Sequence, residues 1–152
     1  MEQSENLYLA PVTLRQANDF AAKHRKNFRP VPQDKFSIGC AADGKLMGVI
    51  IVGYPRDPKL NDGQTLAVHH ICATGGRTAY GMLYGAAARA AKAMGYCRII
   101  AFLPENISSS GLRAAGWRCT GPAENSRPQA SKRLRYEQRL MVRHRKVEEL
   151  SI

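Results

Sequence analysis

The sequence predicts a single α/β domain built on a mixed sheet, and three observations carry that prediction. Strand-like and helix-like runs follow one another in the order β α (loop) β β β α β α β β. Asp43-Gly44 sits between two apolar runs, the signal of a tight hairpin. A long alanine-rich segment ends on Gly95 and has compact apolar runs on both sides, as a helix linking two strands does. At 152 residues one domain buries roughly two-thirds of its unfolded surface and needs no staples.

Each element follows from local chemistry. Residues 7–12 are a short apolar run. Thr13 is a good N-cap, and Leu14, Ala17, Phe20 and Ala21 then recur at helical spacing, fading near Arg25 before Pro30 and Pro32. The connector KHRKNFRPVPQDK is basic and exposed in this reading. FSIGCAA, LMGVIIVGY and QTLAVHHIC read as strands, with PRDPKLNDG as a loop before the third. CRIIAFL is a fourth compact strand, and Pro104 begins a short helical piece over 105–115, closed by Gly116. Trp117 opens a further strand, GPAENSRPQAS is a loop, and residues 132–141 alternate Leu134, Tyr136 and Leu140 against Arg133, Arg135 and Arg139. The core covers about residues 6–141, with a basic tail over 142–152.

Composition excludes several classes. There is no run of about 18 apolar residues to span a membrane, and MEQSENLYLA lacks the basic and apolar regions of a secretion signal. Cys40, Cys72, Cys97 and Cys119 form no CxxC pair, which points away from a metal site. They are expected to be reduced, small buried hydrophobes in a cytoplasmic protein. The net charge of +11 is uneven: residues 1–75 carry 9 Lys+Arg against 7 acidic residues, and residues 76–152 carry 14 against 5. Such a field attracts phosphorylated ligands and nucleic acids.

The stretch TGGRTAYGMLYGAA, residues 74–87, carries the most chemistry. A strand that runs into a loop and a helix N-terminus presents unpaired N–H groups and partial positive charge to an anion. Gly75 and Gly76 can take positive φ, Arg77 adds a charged donor fork, and Thr74 or Thr78 can cap the helix. Gly81, Gly85 and Ala88 leave one helix face without bulk, open to a sheet or a ligand, beside the i,i+4 pair Tyr80 and Tyr84.

At this point the chain resembles the GNAT acyltransferase superfamily. ENISSSGLRAAGWR is similar to the end of a GNAT chain: an Asn (Asn106), a short helix, then Gly116 and Trp117 opening the next strand. FSIG, GVIIVGYP, LNDGQTL, LYGAAARAAKAMGY and LRAAGWR together resemble a small bacterial and phage GNAT-like group related to the phage Mom DNA-modification proteins. The resemblance implies a mostly antiparallel sheet of about six to seven strands, splayed between its fourth and fifth strands, with helices on both faces. It implies acetyl-CoA or another acyl-CoA in the cleft, its pyrophosphate on residues 74–79, with Ala79 and Tyr80 beside it. The family pattern of Arg or Gln, two residues, Gly, one residue, then Gly or Ala falls on Thr74, Arg77 and Ala79, of which Ala79 alone matches. The family's catalytic Tyr falls on Leu112.

The catalytic candidates are then His70, Tyr84 and Ser109, with Tyr80, His69 and the neighbouring serines in reserve. In a strand His69 and His70 point to opposite faces, so one of them faces a given cleft, and His70 is the expected base. Arg25, Lys26 and Arg29 of the connector and Arg133, Arg135 and Arg139 are expected to hold an acceptor or nucleic-acid phosphates. The expected function is acyl-CoA-dependent transfer to a primary amine. DNA base modification and a non-catalytic binding role are the alternatives. The partner is a small-molecule amine or DNA, and a homodimer is compatible with either.

Overall fold

The computed structural model describes residues 6–74, 76–104, 107–122 and 133–140. Its elements are β1 (Tyr8–Pro11), α1 (Leu14–His24), β2 (Phe36–Ala42), β3 (Lys45–Gly53), β4 (Thr65–Ala73), α2 (Gly76–Ala93), β5 (Arg98–Pro104), α3 (Ser110–Ala114), β6 (Arg118–Pro122) and β7 (Arg133–Arg139). The order is the one expected from the sequence.

Local signals account for most boundaries. Thr13 Oγ1 accepts from the Gln16 N–H at 3.1 Å, and the Gln16 side chain accepts from the Thr13 N–H at 2.9 Å, a reciprocal capping box. Asp43 and Gly44 both take positive φ, +53° and +76°, as the two-residue hairpin turn requires. Gly95 and Gly116, at φ +92°, end α2 and α3. The second short helix is shorter than the sequence implied. Ser110 N donates to Ser108 Oγ and Ser108 Oγ bonds Ser110 Oγ, so local side-chain bonds compete with the first helical turn.

The seven strands form one sheet in the order β1-β2-β3-β4-β5-β7-β6. Every described pairing is antiparallel except β4 with β5. That parallel pair holds over Thr65–Ala67 and Arg98–Ile100 alone, although β4 runs on to Ala73 and β5 to Pro104. The sheet therefore splays at its centre.

Both faces of β3 are buried, which its unbroken apolar run anticipates. Ile50 and Val52 pack with Leu66, Leu83 and Ile99 under α2, whereas Val49 and Ile51 pack with Ala17 and Phe20 of α1. Full burial of each such side chain contributes about 1.5–3 kcal/mol. On the small face of α2, Ala88 packs in the core with the sheet, whereas Gly81 meets α3. A Cβ on Gly111 of α3 would lie 3.2 Å from Tyr80 Cβ and 3.3 Å from Gly81 N, so the face lets α3 dock on α2. Of the cysteines, Cys40 and Cys72 are buried and Cys97 is half-buried. Cys119 is exposed on the short terminal strand β6, against the expectation of burial. None of the four forms a disulfide.

Candidate functional site

Where β4 and β5 part, a cavity of about 900 Å³ opens. Its walls are Val68–Ile71 of β4, Ala101–Pro104 of β5, the first turns of α2, and Ser108, Ser110, Gly111 and Leu112 around α3. The β5-facing edge of β4 beyond Ala67 has no strand partner, so its backbone polar groups face this space.

The N-terminus of α2 opens on the same cavity through Gly76 and Arg77. Gly76 has φ +73°, and nothing lies within 4 Å of where its Cβ would be, leaving a bare backbone for an anion to approach. Thr78 is exposed and Ala79 fully buried. Thr74 Oγ1 donates to Met47 O at 3.1 Å and ties the loop to β3. Gly75 and Asn106 lie outside the described residues.

Tyr80 stands over the cavity with its hydroxyl oxygen accepting from Arg25 Nη2 at 3.2 Å and from Ala73 N at 3.4 Å. With both lone pairs engaged, the phenol's own proton is left to donate. Tyr84 is 3% exposed, and its ring meets Trp117 edge-on at 5.4 Å. Burial pushes its pKa well up, so it stays neutral.

The two histidines do not alternate as a regular strand would place them. Ile51 pairs with His70 but Val52 pairs with Val68, so His69 is an extra residue, a β-bulge. Both histidines line the cavity as a result. His69 Nε2 lies 2.7 Å from the Tyr54 carbonyl oxygen, which makes it the N–H donor. Its Nδ1, the basic lone pair, is buried without a partner. Burial lowers the His69 pKa, the Tyr54 carbonyl opposes that, and Arg56 lowers it further. Glycine is required opposite, since a Cβ on Gly53 would sit 2.9 Å from His69 Cε1.

His70 meets the Phe28 ring at a tilt, centroids 4.6 Å apart, and Asn18 bonds both polar groups of the Val31 backbone and fixes the connector on α1. Burial first, and the Arg25 charge second, push the His70 pKa down to about 4. That makes it a weak base at neutral pH, contrary to the role expected for it. It also makes stability pH-dependent. The folded value lies below the ordinary 6.5, so the unfolded chain binds more protons between the two. The contribution is complete above pH 6.5 and is lost as pH falls toward 4. Discounted for the ring's partial exposure, the loss between pH 7 and pH 5 is about 1 kcal/mol. Urea unfolding at both pH values checks this: His70→Gln flattens the difference, and an unchanged slope refutes the assignment.

Ser109 Oγ accepts from Arg113 Nε at 2.9 Å, and it is Ser108 and Ser110 that line the cavity. Of the basic candidates Arg25 borders the main cavity. Lys26 and Arg29 border a second, of about 590 Å³, with Phe28, His69 and His70. Arg133 and Arg135 border a third, also about 590 Å³, with Arg56, Lys59 and Phe102. Arg139 pairs with Arg98 at the other end of β7 and borders none of these. Arg56 and Lys59 were missed, because PRDPK reads as an ordinary loop; a cation directly after each of two prolines was the available signal. All three cavities include His69. Among the described residues no cluster of His, Cys, Asp and Glu is suited to a metal ion, and no helix is long and apolar enough to cross a membrane.

No protein-family model matches the chain, and no curated protein matches it. Solved structures do. A GNAT-family acetyltransferase from Streptococcus pneumoniae superposes with a TM-score of 0.64 at 9% identity, covering 90% of this chain and 100% of that one. The ribosomal-protein-S18-alanine N-acetyltransferase of Escherichia coli gives 0.65 at 9% identity, covering 91% and 96%. A Bacillus subtilis acetyltransferase in complex with CoA gives 0.60 at 14% identity, covering 91% and 100%. With its splayed seven-stranded sheet and flanking helices, the chain has the fold of the GNAT acetyltransferases.

Proposed function

We propose that the protein transfers an acyl group from an acyl-CoA to a primary amine in the cleft between β4 and β5. One observation carries this reading: the bare N-terminus of α2, the unpaired edge of β4 and the His69 side chain all border one cavity. The residues fit an acyl-CoA. The open backbone at Gly76, the first N–H groups of α2 and the Arg77 guanidinium suit a pyrophosphate, although the family's glycine pattern is worn. A fold neighbour that is a complex with CoA supports the same use.

The bound acyl-CoA supplies an electrophilic thioester carbonyl. The chain does the rest by alignment and proton management. His69 Nδ1 takes the proton from the acceptor nitrogen, its ring held in the right tautomer by the Tyr54 carbonyl. Edge N–H groups of β4 can polarise the carbonyl. Tyr80, with Arg25 beside it, presents its proton for the sulfur that departs.

Calorimetric titration with acetyl-CoA tests this. Wild type binds, and Arg77→Glu binds about tenfold or more weakly, the cost of a charge-assisted contact turned repulsive. No heat at millimolar acetyl-CoA sinks the reading. A second reading, modification of a nucleic-acid base, draws on Lys26 and Arg29 around the cavity beside His70. It requires DNA binding that weakens steeply with salt, and fails if low salt reveals none.

A further inference from the structure

We infer that the acceptor is a small amine carrying an oxyanion, a phosphate or a carboxylate, held in the cavity bordered by Arg56, Lys59, Arg133 and Arg135 on the sheet face opposite α2. The word acceptor rests on the acyl-transfer reading; the anion site itself does not.

The face follows from register. Ala101, Leu103, Leu134 and Tyr136 pack into the core under α2. Their neighbours Phe102, Arg133 and Arg135 alternate to the other face. There α1 covers β2, β3 and β4, and among the described residues no helix covers β5 and β7. The loop that carries Arg56 and Lys59 closes this open ground into a cavity of about 590 Å³. That volume suits a small molecule rather than a polymer groove.

Among the described residues the cavity is net positive, with four cations against the one carboxylate of Asp57. Arg133 lies over the Phe102 ring at 5.4 Å, and Arg135 Nε donates to Thr120 Oγ1 at 3.0 Å. Both guanidiniums are thus oriented by neutral groups among the described residues, and their remaining N–H donors can serve an oxyanion. Asp57 also borders the cavity, but its Oδ1 accepts the Lys59 backbone N–H at 3.0 Å. Among the described residues none of the four cations has a carboxylate in ion-pair range. Four like charges around one small space repel one another, and an anionic ligand offsets that cost.

The cavity also leads to the reacting groups. Val68, His69 and Phe102 border both it and the cavity under α2, so the two meet across the splay. An oxyanion on the four cations leaves an amine a few bonds away to reach His69.

The test is calorimetry at low ionic strength with phosphoethanolamine, β-alanine, ethanolamine, acetyl-CoA and a short single-stranded oligonucleotide. Phosphoethanolamine or β-alanine is expected to bind wild type about tenfold or more tighter than ethanolamine does, as a charge-assisted contact provides. Which of the two is preferred tells phosphate from carboxylate. Arg56→Glu combined with Arg133→Glu, both exposed sites, removes the preference and leaves acetyl-CoA affinity within about twofold of wild type. Lys59→Glu alone, also exposed, weakens it in a chain of unchanged melting temperature. Arg77→Glu keeps the preference. Absence of any preference, or one that survives the double substitution, overturns the inference. Oligonucleotide binding that depends on Arg56 and Arg133, with no preference among the small amines, also overturns it and makes the occupant a nucleic acid. An intact preference in a protein that does not bind acetyl-CoA overturns the acyl-CoA reading and leaves the anion site standing.

Discussion

Replacing His69 by glutamine is expected to lower the rate of acyl transfer by about 10²–10⁴-fold, the usual worth of a positioned general base, with acetyl-CoA affinity unchanged. Glutamine can still donate to the Tyr54 carbonyl, so the bulge keeps its anchor and only the basic lone pair is lost. His70→Gln should cost far less, because a ring whose pKa is about 4 takes a proton poorly near neutral pH. The pH profile separates the two. Burial holds the His69 pKa below its ordinary 6.5, so the wild-type rate stays level through neutral pH and falls only on the acid side. That acid limb disappears in His69→Gln. Gly53→Ala probes position alone: its Cβ would stand 2.9 Å from a ring that is tied at Nε2, so the ring must shift and kcat must fall. Thiol release with an accepted amine, alongside acetyl-CoA titration, measures all three variants. A His69→Gln protein with undiminished kcat removes His69 from the chemistry.

The largest stability effect is expected at Trp117. Trp117→Ala should cost about 3–5 kcal/mol, the range for emptying a large aromatic site in a core. The indole is 2% exposed, meets Tyr84 edge-on at 5.4 Å and packs with Leu112 of α3 and Tyr136 of β7. Its backbone N–H donates to Leu112 O at 3.0 Å, closing the end of α3. The loss therefore loosens α2, α3 and β7 together, and with them the wall of the main cavity. Trp117→Phe should cost much less. It keeps a ring against Tyr84 and removes an indole N–H that is buried without a partner, a liability of about 1–3 kcal/mol. Urea unfolding at pH 7 compares them, and near-equal losses for Ala and Phe contradict this account.

What was legible in the sequence shares one property: the cause lies within a few residues. The Thr13 cap, the Asp43-Gly44 turn and the glycines that end α2 and α3 are local chemistry, and each sits where expected. Burial of β3 on both faces is legible because an unbroken apolar run leaves it no polar side. The loop at 74–79 was found because a strand, a glycine and a helix start are adjacent in the chain.

The rest needed neighbours that are distant in sequence. Alternation in β4 predicts one histidine per face, but the bulge is set by pairing with β3, and it turns His69 into the residue common to three cavities. The weakness of His70 as a base comes from Phe28 and Arg25 on the connector after α1. The use of Gly81 on the small face of α2 is seen only once Gly111 of α3 is docked against it. Arg56 and Lys59 meet Arg133 and Arg135 around one cavity only through the tertiary packing of the loop after β3 against β5 and β7. The amino-acid sequence by itself determined the elements, their order and their caps, since these depend on backbone preferences and short-range hydrogen bonds. Tertiary structure alone decided the surroundings of each histidine and which cations border one cavity, because tautomer, desolvation and charge repulsion are fixed by contacts between segments far apart in the chain.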